Sequence, residues 1–135
     1  MVWDYDLETR HTGIDQDHQE VVAFLAAFLK VLDSRHDDRV PGALAMLYDR
    51  IAKHFAYEER LMVDRALPAT AAHTGAHRSF LDDIRTHAER VATEGSTEAF
   101  RQWAHGQLVS WFRAHIKAHD LALAQALNEP GPTRG

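Results

Sequence analysis

The chain has 135 residues, 45% of them apolar and 26% charged, and a net charge of −5. That length and balance suit one globular domain with a core of its own, and the acidic excess argues against nucleic acid as a partner. With no cysteine anywhere, disulfide scaffolds, thiolate metal sites and cysteine nucleophiles are all excluded.

The first residues contain Trp3, Tyr5 and Leu7. They are too apolar for a free tail, so residues 1–14 are expected to form an arm packed across the rest. From there the apolar residues recur at three- and four-residue steps, the helical period. A first helix is predicted over 16–36, capped by Asp15, with Val21, Val22, Leu25, Phe28, Leu29 and Leu32 inward. A second is predicted over 41–66, with Pro41 in its first turn, Pro68 beyond its end, and Leu44, Leu47, Ile51, Phe55 and Met62 inward. A third covers 71–93 behind Thr70, burying Phe80, Leu81, Ile84 and Val91. A fourth covers 97–127 behind Ser96 or Thr97, burying Leu108, Trp111, Phe112, Ile116 and Leu123, with Gly106 a weak point inside it. Residues 129–135, rich in Pro and Gly, are expected to be disordered.

No period-two alternation long enough for a strand occurs. Four long helices with short connections imply antiparallel neighbours. The fold class is therefore all-α, an up-down-up-down antiparallel four-helix bundle making a single domain over 1–135. No apolar run reaches the length of a membrane span, and Met1-Val2-Trp3-Asp4 is not a secretion signal. A soluble, cytoplasmic protein is expected, and a monomer, because no apolar outer face stands out.

Histidine is the unusual count, at ten. With no thiol present, imidazole and carboxylate are the strong metal ligands left. His54 and Glu58 stand four residues apart on the second helix, as do His73 and His77 on the third. Four residues is about 400° of rotation, so each pair points one way from adjacent turns. His18 lies near the start of the first helix, and His115-Ile-Lys-Ala-His-Asp120 lies late in the fourth. In an up-down-up-down bundle the starts of helices one and three share an end with the finishes of two and four. All of these groups therefore fall toward one end of one core. His54 and Glu58 also interrupt an apolar stripe, which is costly unless they are paired or bound to metal.

These residues resemble the hemerythrin family, in particular its single-domain bacterial branch, the bacteriohemerythrins. The resemblance runs through Trp3 and Tyr5, Gly13-Ile14-Asp15 to His18, His54-Phe55 to Glu58-Glu59 and Met62, His73 to His77 and Phe80, and Trp111 to His115-Ile116 and Asp120. It implies two non-haem irons (Fe2+/Fe3+). His73, His77 and His115 would bind one, and His18 and His54 the other. Glu58, Asp120 and a solvent-derived oxo or hydroxo group would bridge them. These groups fill all but one position around two octahedral irons, and the open one is on the two-histidine iron. The family's chemistry implies reversible O2 binding there, end-on as a hydroperoxide, for storage, transfer or sensing, with an O2-consuming enzyme as a candidate acceptor. The matching pocket residues are Val21, Val22, Leu25, Phe55, Trp111, Phe112 and Ile116, an apolar lining that admits O2 and slows proton and water access.

The fourth helix departs from simple spacing. His115 to Asp120 is a five-residue step, about 140° off on a regular helix. Both can face one metal pair only if their side chains converge from either flank or the helix carries a π-type turn. Spacing alone favours His119, while the need for a bridging anion and the family motif favour Asp120. Phe112 stands where bacterial relatives more often have Leu, and its bulkier ring can shrink the pocket. The alternative on the same site is a di-iron enzyme, an oxidase, peroxidase or nitric-oxide-reducing relative. Ferritin-like oxidases carry Glu-x-x-His pairs on two helices, and here the one such string, Glu8 to His11, lies in the arm.

Overall fold

The computed structural model describes residues 5–129. Four helices account for most of them, with no strand among the described residues. Helix α1 is Thr12–Asp33, α2 is Val40–Asp64 and α3 is Thr70–Glu94. Helix α4 runs continuously over 98–128. It has α-helical pieces at Glu98–Gln102, Val109–His115 and Leu121–Asn128, separated by π turns at Trp103–Leu108 and Ile116–Asp120.

Each helix start has a local cause. Asp15 is not the cap of α1: His11 is, its Nδ1 accepting the Ile14 N–H at 3.1 Å. Asp15 sits inside the first turn and accepts from the Thr9 N–H at 2.9 Å and the Thr9 hydroxyl at 2.7 Å, which folds the arm back onto the helix. Residues 12–14, expected in the arm, thus belong to α1. The helix ends at Asp33, before the expected boundary, where Arg35 takes a left-handed backbone with φ +63°. A 3-10 turn, Asp37–Arg39, leads into α2 with Pro41 in its first turn. That ring lacks an N–H the helix start does not need. Thr70 does not cap α3; it is the first helical residue, and its hydroxyl donates to the Leu67 carbonyl at 2.6 Å. Thr97, one of the two expected caps of α4, accepts the Phe100 N–H at 3.1 Å.

The four helices form an up-down-up-down bundle. Arg101 on α4 donates to the Leu32 carbonyl at 2.8 Å and Trp103 to Asp83 at 3.0 Å, so α4 closes the bundle between α1 and α3. The predicted inward residues are buried, except that Leu81 and Trp111 are half-buried against the core. Leu7 of the arm is 1% exposed and joins that core. At the other end Asn128 donates to the Arg10 carbonyl at 3.0 Å. Trp3, the Tyr5 side chain and residues 130–135 lie outside what the structure describes. Among the described residues, no helix is long and apolar enough to cross a membrane.

The core is in two parts. The larger holds Val21, Leu25, Leu47, Phe55, Phe80, Phe112, Ile116 and their neighbours from all four helices. The smaller, nearer the shared helix ends, is Ile14, Met62, Leu123 and Ala124. Along α1, α2 and α4 the sequence passes from one to the other across His18, His54 and Glu58, and His115 and Asp120. A polar layer is thereby sealed on both sides by apolar packing.

Candidate metal centre

All of the residues singled out for metal binding meet in this layer. His18, His54, Glu58, His73, His77, His115 and Asp120 are each between 0% and 3% exposed. Their donor atoms form two overlapping groups, each with all atoms within 4.8 Å of one another. One is Glu58, His73, His77, His115 and Asp120; the other is His18, His54, Glu58 and Asp120. The two carboxylates belong to both groups. Asp120 reaches His18 Nε2 with one oxygen at 2.8 Å, and His73 and His115 Nε2 with the other at 2.9 and 3.1 Å. Glu58 spans likewise, Oε2 lying 3.3 Å from His54 Nε2 and 3.4 Å from His18 Nε2, and Oε1 3.1 Å from His77 Nε2.

The π turn over Ile116–Asp120 is what lets α4 contribute both His115 and Asp120. A π turn takes one more residue per turn than an α turn, so a five-residue step returns to nearly the same face. Asp120 therefore occupies the inward position that α spacing would have assigned to His119. His119 stays half-buried at the edge, outside both donor groups.

Buried charge in the layer is strongly coupled. Burial pushes the His54 imidazole toward neutrality, but the Glu58 charge and the bond to Asp17 outweigh it and carry its pKa up to about 10. His73 is opposed by burial in the same way and is carried up to about 9 by Asp120 and Glu58. Burial alone would raise Glu58, yet the imidazoles of His54, His18 and His73 close beside it hold it well below the usual carboxylate range. Burial and Glu58 push Asp120 up, while His115, His18 and His73 bring it down overall. His115 moves down because it is buried.

The donor set fits a pair of metal ions better than hydrogen bonding alone. His54 Nε2 and both Glu58 oxygens are buried with no hydrogen-bond partner. The Nε2 atoms of His73 and His77 stand 3.2 and 3.0 Å from His115 Nε2. Three imidazole nitrogens facing one another leave lone pairs with too few protons to share. Nitrogens adjacent on one ion at about 2.1 Å would stand about 3 Å apart, which matches this convergence.

Comparison with known proteins agrees. The family model of the hemerythrin HHE cation binding domain matches residues 10–127. The chain belongs to the hemerythrin family. A bacteriohemerythrin of Stenotrophomonas maltophilia is 29% identical over 92% of this chain and 79% of the relative. One of Pseudomonas aeruginosa is 25% identical over 94% and 81%. A myohemerythrin of Riftia pachyptila is 28% identical over 88% and 87%.

Around the layer of this hemerythrin-family chain, the aromatic residues divide between the two donor groups. Phe112 meets His18 and His54 edge to face, with ring centroids 5.9 and 6.3 Å away. Phe55 stacks on His77 at 3.8 Å and lies 5.8 Å from His54, touching both groups. Trp111 stacks on His115 at 4.5 Å and on Phe80 at 3.6 Å. It therefore stands on the three-histidine side, half-buried, rather than beside His18 and His54 where the open position was expected. Val21, Val22, Leu25 and Ile116 are buried in the core above the layer.

Two residues that sequence reasoning missed complete the arrangement. Asp17 Oδ2 lies 2.5 Å from His54 Nδ1, and Glu59 Oε2 lies 2.9 Å from His77 Nδ1. Asp17 is itself held by Arg50, which also binds Glu20 at 2.5 Å. A carboxylate on the far nitrogen of a ligating histidine fixes its tautomer and ring orientation. Asp17 adjoins His18 in sequence and Glu59 adjoins Glu58, but each serves a histidine on a different helix, a pairing that helical periodicity cannot register.

Proposed function

We propose that this chain binds O2 reversibly at two non-haem irons. His73, His77 and His115 would hold one iron and His18 and His54 the other, with Glu58 and Asp120 shared. The observation that carries the reading is the two overlapping donor groups, which have Glu58 and Asp120 in common and no other member. One group has three imidazoles and the other two, so the second is the side with a place for a small molecule. When bound, such a pair supplies one electron from each iron to O2.

The chain's own part is to position and to exclude. Asp17 and Glu59 aim one histidine in each group. Phe112 sets its hydrocarbon ring against the two-histidine side, and Val21, Val22, Leu25 and Ile116 continue the apolar packing. No side chain of those five can donate a proton, so bound O2 is held rather than reduced onward. This favours carriage over oxidase or peroxidase chemistry.

The test is iron analysis and anaerobic optical spectroscopy. Two irons per chain and a visible band that forms in air and bleaches on degassing are expected. A single iron, or irreversible oxidation with release of hydrogen peroxide, would overturn carriage.

A further inference from the structure

Every group in the cage is buried, so a metal ion reaches it only through a gap in the bundle wall. A cavity among the described residues has a cage residue in its lining. It has a volume of about 180 Å³ and lies between α3 and α4, lined by Ala76, Trp111, Ala114, His115, Ala118 and His119. Ala114 and Ala118 stand one turn apart on α4 and Ala76 is on the facing helix, so methyl groups leave the gap that longer side chains would fill. His115 is 3% exposed, and its Nδ1, the nitrogen turned away from the cage, has no hydrogen-bond partner.

His119 lines the same cavity and is half-buried. Its ring centroid is 5.0 Å from that of His115 and 5.1 Å from that of His73. The three cage rings on this side are spaced at 4.5, 4.8 and 4.9 Å. His119 thus stands from two cage histidines at nearly the distance they keep from each other, yet it takes no part in either donor group. The π turn creates this position by giving the inward place to Asp120.

We infer that this cleft is the way in for the metal, and that His119 is the first group to hold an incoming divalent cation before His73 and His115 take it. The inference rests on the metal-centre reading above. An imidazole that trades water for nitrogen at the mouth lets the ion shed its hydration in steps, each short enough to span with one shared ion. A second cavity, also about 180 Å³, lies beside Gly13, Gln16, Asp17, Glu20 and Tyr57. No cage residue lines it, and its two carboxylates are already bonded to Arg50.

The experiment follows uptake of Co2+ by metal-free protein in a stopped-flow spectrometer, reading both rate and final ions per chain. His119→Ala and Ala118→Phe are expected to load several-fold more slowly, the first by removing the imidazole at the mouth and the second by filling the cleft. They should reach the same final content and final cobalt spectrum as the parent. Gln16→Phe, which plugs the second cavity, should load at the parent rate. If His119→Ala and a folded Ala118→Phe keep the parent rate, or Gln16→Phe alone slows uptake, the port is wrong while the metal centre stands. If the parent protein itself takes up no pair of ions, both fall. Should Ala118→Phe not fold, His119→Ala decides by the same rate criterion.

Discussion

At the scale of single residues, the two carboxylates outside the cage give the sharpest handle. Asp17 serves His54 and Glu59 serves His77, one histidine in each donor group. Asp17→Ala would leave the buried His54 Nδ1 without a partner and Arg50 held by Glu20 alone, while Glu59→Ala would release His77. Losing such a support costs about 10- to 100-fold in metal affinity. Chelator competition should therefore strip one ion early in each variant, from the His18–His54 side in Asp17→Ala and from the three-histidine side in Glu59→Ala. Equal loss of both ions in both variants would show that the supports do not act locally. His54, Glu58, His73 and His77 were legible because i,i+4 spacing is a property of one helix at a time, whereas Asp120 rested on the family motif and the need for a bridging anion, since spacing alone favours His119. Asp17 and Glu59 were not legible, because what matters about them is the neighbour they meet across the bundle.

At the scale of elements, α4 departs most from sequence periodicity, and it does so twice. The π turn at Ile116–Asp120 was one of two ways to reconcile a five-residue step with a common face, and spacing could not choose between them. The turn at Trp103–Leu108 was not foreseen, although Gly106 inside it marked a soft place. Glycine costs a helix about 1 kcal/mol against alanine where nothing prevents a methyl group. A Cβ at Gly75 in α3 or at Gly106 in the π turn would meet nothing within 4 Å, and neither glycine has a left-handed backbone. Gly75→Ala and Gly106→Ala should each stabilise the protein by about 0.5–1 kcal/mol, seen as a rise in thermal midpoint. Gly95 also has open space, but it ends α3 with φ +77°, so Gly95→Ala should lower the midpoint. Gly13 is different again, since a Cβ there would collide with the Tyr57 hydroxyl. A lower midpoint for Gly106→Ala would mean that the first π turn depends on glycine.

At the scale of the molecule, the buried layer couples folding to both protons and metal. Without metal, burial alone would lower the histidines, but Glu58 and Asp17 carry His54 up to about 10, and Asp120 and Glu58 carry His73 up to about 9. Unfolded histidine titrates near 6.5, so the stability from these raised groups is complete below about pH 6.5 and is lost as pH climbs through about 9 to 10. Glu58 and Asp120 are displaced the other way, so their contribution is present above about pH 4.5 and is lost as pH falls through their depressed values. The metal-free protein should then be most stable between about pH 4.5 and 6.5 and weaken toward alkaline pH. A cation needs the same imidazoles neutral, so binding expels the protons that stabilise the metal-free fold. Its stabilising effect should be smallest near about pH 5.5 and grow steadily through about pH 8.5. Thermal midpoints with and without Co2+ at several pH values check this, the gap between the two curves widening as pH rises. A gap that stays constant across that range would mean that the cation binds without displacing protons from His54 and His73, and so outside the cage.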